Sequence, residues 1–103
     1  MKEEILDAVQ GQKVQILKLT LSCEESQLDL ILNIAFNDTI CTICFYKVSG
    51  VSIQELSMPP EINGFEIINN KQNGWEQDSN YEIRDFEDGR LRFFCKDFEV
   101  LCQ

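Results

Sequence analysis

Between Lys13 and Cys23 the apolar positions Leu17, Leu19, Leu21 and Cys23 alternate with polar ones. That is the period of a strand, whose successive side chains point to opposite faces. Glu24 to Gln27 is a polar turn, and Leu28, Leu30, Leu32, Ile34 and Phe36 then alternate with Asp29, Asn33 and Asn37, the clearest half-buried strand in the chain. Asn37-Asp38 breaks the pattern. Thr39 to Val48 resumes it with apolar residues on both sides, the mark of a strand covered on both faces. Val51 to Met58 reads as a further strand ended by Pro59-Pro60, because proline has no N–H for a ladder. Asn63-Gly64 opens another piece, Phe65 to Ile68. The polar stretch Asn69 to Asn80, with Asn73-Gly74 inside it, reads as a loop or frayed hairpin. Ahead of all these, Ile5, Ala8 and Val9 take helical spacing within Glu3–Gln10 and Gly11 follows as a stop, which predicts a short amphipathic helix.

The end of the chain carries the strongest local signal. Tyr81 to Glu87 and Arg90 to Leu101 flank Asp88-Gly89, a residue pair preferred by type I′ hairpin turns, in which Gly89 takes a positive φ. A two-residue loop sets Glu87 against Arg90, Phe86 against Leu91 and Asp85 against Arg92. One face then holds two cross-strand ion pairs and the other Phe86, Leu91, Phe93 and Cys95. Arg84 is the misfit, falling opposite Phe93 on the apolar face unless a bulge or the sheet rim accommodates it. Together these elements predict an α+β, mainly β domain over residues 1–103. It is a single antiparallel sheet of about six strands, able to curl toward a barrel, with a short N-terminal helix.

Composition restricts the function. Eighteen acids, nine bases and no His give a net charge of −9. Such a surface repels nucleic acid and anionic membranes, whose binding relies on Lys and Arg; negative charge also simply keeps a domain soluble. The opening Met1-Lys2-Glu3-Glu4 places acids where a secretory signal has positive charge. No apolar run reaches the roughly 18 residues of a membrane span. A cytoplasmic protein is expected. Five cysteines, an odd number in apolar surroundings, point to reduced core thiols rather than a disulfide framework.

Chemistry-bearing patterns are few. Cys41-Thr42-Ile43-Cys44 has the CxxC spacing, but three residues apart on a strand point to opposite faces, so no metal or redox pair is expected. Without His, the usual general base and nucleophile partner are missing. The acids Asp85 and Glu87, or Asp97 and Glu99, lie side by side on a strand rather than across a cleft as glycoside hydrolysis requires. No phosphate-binding Gly loop is present. Neither a catalytic set nor a cofactor is predicted. Trp75, among polar residues in Asn73–Asp78, is either an exposed interface anchor or a cap folded back over the sheet.

Three stretches form a pattern of turns and aromatics: Pro60–Ile67 with Gly74-Trp75, Tyr81–Asp88, and Phe93–Val100. In this last half the chain resembles small bacterial immunity proteins of polymorphic-toxin and contact-dependent inhibition systems. The resemblance implies a cytosolic protein that binds and neutralises a toxin domain, and it carries over no functional residue. From charge and exposure, a basic toxin domain would be met by Trp75, Glu76, Asp78, Asp85, Glu87 and Asp88. The other reading open to the sequence is a small-ligand-binding β-domain with a pocket lined by Phe36, Phe45, Phe94 and Phe98.

Overall fold

The computed structural model describes residues 12–36, 38–54, 61–70, 80–85 and 89–102. Eight strands lie among them: β1 (Gln12–Glu24), β2 (Gln27–Phe36), β3 (Thr39–Tyr46), β4 (Ser49–Ile53), β5 (Glu61–Asn69), β6 (Tyr81–Asp85), β7 (Leu91–Cys95) and β8 (Asp97–Cys102). They form one antiparallel sheet in the order β4-β7-β6-β5-β1-β2-β3-β8. The mainly β class is as the alternation predicts. The helix expected over Glu3–Gln10 falls outside the described residues. No helix of the described residues is long and apolar enough to cross a membrane.

The clean alternation of β2 is fully realised. Leu30, Leu32, Ile34 and Phe36 are buried, and the intervening residues are half-buried on the other face. Its partner β1 departs from the simple pattern. The register shifts between Ile16↔Ile34 and Lys18↔Asn33, which leaves Leu17 as a bulge residue, 48% exposed. Val14 and Ile16 point inward before the bulge. After it, Leu19 packs on the core while Leu21 and Cys23 are exposed. A bulge switches the phase of everything beyond it and takes Leu17 out of the row its spacing predicts; Leu21 and Cys23 keep the parity of Leu19, opposite Leu30 and Leu28, but stand exposed.

The sequence marks seven stretches as strands where a sheet of about six was expected, and eight lie among the described residues because one of the seven is two. The stretch from Arg90 to Leu101 breaks at Lys96, where the apolar parity changes: Leu91, Phe93 and Cys95 are buried on one side of the break, Phe98 and Val100 on the other. Across that single residue the chain passes from β7 to β8, which stand second and eighth in the sheet order. Such a jump is possible only because the sheet curls. Phe45 on β3 and Phe93 on β7 stack edge to face with centroids 4.9 Å apart, as do Tyr81 on β6 and Phe98 on β8. In a flat sheet each pair would be separated by five strand spacings, about 24 Å. The two ends of the sheet therefore fold over one interior, which those rings fill together with Leu30, Leu32, Ile43, Ile62, Phe65 and Ile83. β4 and β8 end the order without pairing to each other, so the barrel-like curl is not closed.

The C-terminal hairpin is shifted by one residue from its predicted register. Ile83 lies opposite Phe93 and Arg84 opposite Arg92. This removes the Arg84 misfit, since Ile83 and Phe93 go inward and both arginines outward. A one-residue slip exchanges the two faces, and so Asp85, expected on an exposed face opposite Arg92, lies on the inner side and is 3% exposed. The connection is wider than two residues. The Gly89 N–H donates to the Asp85 carbonyl at 3.1 Å, and Gly89 has φ of 63°, the positive value expected.

Candidate functional site

Of the residues expected to meet a partner, Trp75, Glu76, Asp78, Glu87 and Asp88 lie outside the described residues. Asp85 is described, and it serves the fold: its carboxylate accepts the Arg90 N–H at 3.5 Å across the turn. An acid that steers a partner through solvent has to be exposed, and Asp85 is not.

The four phenylalanines of the ligand-pocket reading do not line one space. Phe45 and Phe98 are buried and packed together at 5.9 Å between centroids. Phe94 lies on the outer face, with the Arg92 guanidinium 5.2 Å above its ring. The CxxC residues do fall on opposite faces: Cys41 is fully buried and Cys44 half-buried outside. The uniformly reduced, buried set of thiols predicted from sequence is not what is found. Cys41 is disulfide-bonded, while Cys23, Cys44 and Cys95 are thiols outside any disulfide and Cys23 is exposed.

The outer face of β2, β3 and β8 brings together residues that the sequence scatters. The ladder sets Ile31, Cys44 and Glu99 in one row and Asn33, Thr42 and Leu101 in the next, with Tyr46 opposite Asp97. At one end the Tyr46 hydroxyl donates to Glu99 Oε2 at 3.1 Å, and Asp29 accepts from Gln27 Nε2 at 2.9 Å and from the Lys47 N–H at 3.3 Å. Burial pushes the Cys44 thiol up from its ordinary range, and the negative fields of Glu99 and Asp29 add to it. The Tyr46 phenol is raised by burial first and then by its hydrogen bond to Glu99 and the same charges. A thiol so placed stays protonated and is a poor nucleophile. At the other end of the face Ile40 and Leu101 are 47% and 65% exposed. The outer side of β3, predicted to be covered, is thus only partly so.

On the opposite half of the sheet, cations are matched by acids. Arg92 Nε lies 2.9 Å from Glu82, Arg84 lies 3.7 Å from Glu66, and Lys13 Nζ lies 2.9 Å from Glu61. A concavity of about 370 Å³ between Glu82, Arg84, Asp85, Gly89, Leu91 and Arg92 is accordingly of mixed sign. The β2–β3–β8 face differs from it in joining acids to exposed apolar side chains. Sequence reasoning noted Asp97 and Glu99 as a same-side pair but missed Asp29, Tyr46, Ile40 and Leu101. The available signal was the parity of Asp97, Glu99 and Leu101 against Phe98 and Val100. No protein-family model, curated protein or solved structure matches this chain.

Proposed function

We propose that the chain is a partner-binding protein that acts as an immunity protein, holding a basic bacterial toxin domain through the outer face of β2, β3 and β8. The observation that carries this reading is the juxtaposition of Asp29, Asp97 and Glu99 with the exposed Leu101 and Ile40 on one sheet face. Acids there would accelerate encounter with a basic surface, and exposed apolar side chains would supply the contact that slows dissociation. The net charge of −9 acts in the same direction over longer range. The rings packed in the interior weigh against the small-ligand reading, since Phe45 and Phe98, expected to line a pocket, pack against each other and Phe94 lies on the outer face.

The test is direct binding to the C-terminal domain of a large secreted protein encoded beside this gene. Submicromolar binding is expected, with an on-rate that falls as salt rises across the range where the Debye length is about 10 Å or less. Glu99→Lys should lower that on-rate, and Leu101→Ala should mainly raise the off-rate. Failure to bind at about 10 μM, well above the affinity of a stable specific complex, would reject the immunity reading. Binding indifferent to both substitutions would keep the function and reject this face.

A further inference from the structure

Cys41 is disulfide-bonded and fully buried. The residue facing it across the β3–β8 ladder is Cys102. Directly opposed Cα atoms of antiparallel strands are about 4.5–5.5 Å apart, inside the span that a disulfide bridges. The other three of the five cysteines, Cys23, Cys44 and Cys95, are thiols outside any disulfide. We infer that Cys41 and Cys102 form a cross-strand disulfide, a redox-dependent clasp that ties the last strand to the sheet.

The place of the bond in the fold gives it consequence. β8 ends the strand order and has β3 as its ladder partner. Its near end is anchored through Lys96, whose N–H donates to the Tyr46 carbonyl at 3.0 Å, and by Phe98 against Phe45 and Tyr81. Its far end carries Leu101, which is 65% exposed. The clasp sits at this far end, beside the exposed Leu101. Closing it also joins residues far apart in sequence, which restricts the unfolded chain strongly. In oxidising surroundings the strand is locked. In a reducing cytosol the bond opens and the end of β8 frays from β3. The step is balanced by a low-molecular-weight disulfide such as glutathione disulfide. The two cysteine thiols give up two protons and two electrons through a mixed disulfide, and glutathione disulfide leaves as two glutathione thiols.

The full chain is treated with glutathione disulfide, denatured without reductant and titrated for thiols. Three thiols are expected, rising to five after reduction. Trypsin should release residues 97–103 covalently joined to residues 19–47, a species retained in Cys44→Ser and Cys23→Ser and lost in Cys41→Ser. The oxidised protein should melt roughly 10–20 °C above the reduced one, and Cys102→Ser, at the strand end, should abolish that difference while still folding. Five free thiols after oxidation, a crosslink through Cys44 or Cys95, or equal melting of both redox states would each overturn the clasp.

Discussion

Gly89 and Gly50 show what a single backbone conformation costs in this chain. Both have positive φ, 63° and 62°. A Cβ placed on Gly89 meets nothing within 4 Å, whereas one on Gly50 lies 3.2 Å from Cδ2 of Phe94. Gly89→Ala should therefore cost only the left-handed backbone penalty, about 1 kcal/mol, and Gly50→Ala should cost about 2 kcal/mol because the Phe94 ring must also move. Urea unfolding of the two variants measures the difference, and equal losses would count against the Phe94 contact. The opposite change is available at the β1–β2 turn. Glu25 and Ser26 have φ of 49° and 65° between the paired Glu24 and Gln27, a two-residue turn with both φ positive. Such turns favour Asn-Gly, so Glu25→Asn with Ser26→Gly should stabilise by roughly 0.5–1 kcal/mol. Alkaline pH acts through Cys44. Its pKa is raised by burial, Glu99 and Asp29 from an ordinary value of 9.0. Above that value the unfolded chain loses the proton while the folded chain keeps it, so folding stability falls as pH rises through this window. Cys44→Ser should flatten the decline, and Glu99→Gln should speed alkylation of Cys44. An alkylation rate unchanged in Glu99→Gln would show that the carboxylate does not control the thiol.

At the scale of the strand, the outcome turned on features one residue in size. The alternation of Leu30, Leu32, Ile34 and Phe36 made β2 legible because nothing interrupts its phase. In β1 the bulge at Leu17 reverses the phase, and no proline or glycine announces it. The split between β7 and β8 was written in the parity change after Cys95. Reading through it hid the transfer from one end of the sheet to the other. The hairpin is the sharpest case: Asp88-Gly89 suggested a two-residue turn, while the longer turn shifts the pairing to Arg84↔Arg92. Arg84 opposite Phe93 was the symptom of that slip, and the acid Asp85 went inside with it. The corrected register has an energetic consequence. Glu82 is only 7% exposed and accepts from Arg92 Nε at 2.9 Å, and the Arg92 side chain is 54% exposed and stacked over Phe94. Arg92→Ala strands a carboxylate away from water and should cost about 1–3 kcal/mol. Glu82→Gln leaves an arginine that solvent can reach and should cost less than 1 kcal/mol. Thermal melts that reversed this order would contradict the burial of Glu82.

At the scale of the molecule, the curl of the sheet was the part least visible in the sequence. Alternation fixes which side of a strand is apolar, but it does not say which other face that side will meet. The answer lies in contacts between strands five places apart in the sheet order: Phe45 with Phe93, and Tyr81 with Phe98. Phe98 packs on Phe45 of the neighbouring β3 and on Tyr81 of β6, and so joins the end strand β8 to β6 across the interior. Nonlocal pairings of this kind close late and place the fold among slow-folding β topologies, in the range of milliseconds to seconds. They also make Phe98 and Phe94, four residues apart, unequal by position. Phe98 is 1% exposed in the core. Phe94 is half-buried on the outer face, where solvent or a shifted Arg92 side chain can fill its space. Phe98→Ala should cost about 3–5 kcal/mol, the usual loss for a buried ring, a large share of the roughly 5–15 kcal/mol that stabilises a typical domain. Phe94→Ala should cost about 1 kcal/mol, the scale of a partly exposed cation–π contact. Measured by urea unfolding at fixed redox state, so that the proposed clasp does not enter, a loss at Phe98 no greater than that at Phe94 would mean that the rings do not hold the two ends of the sheet together.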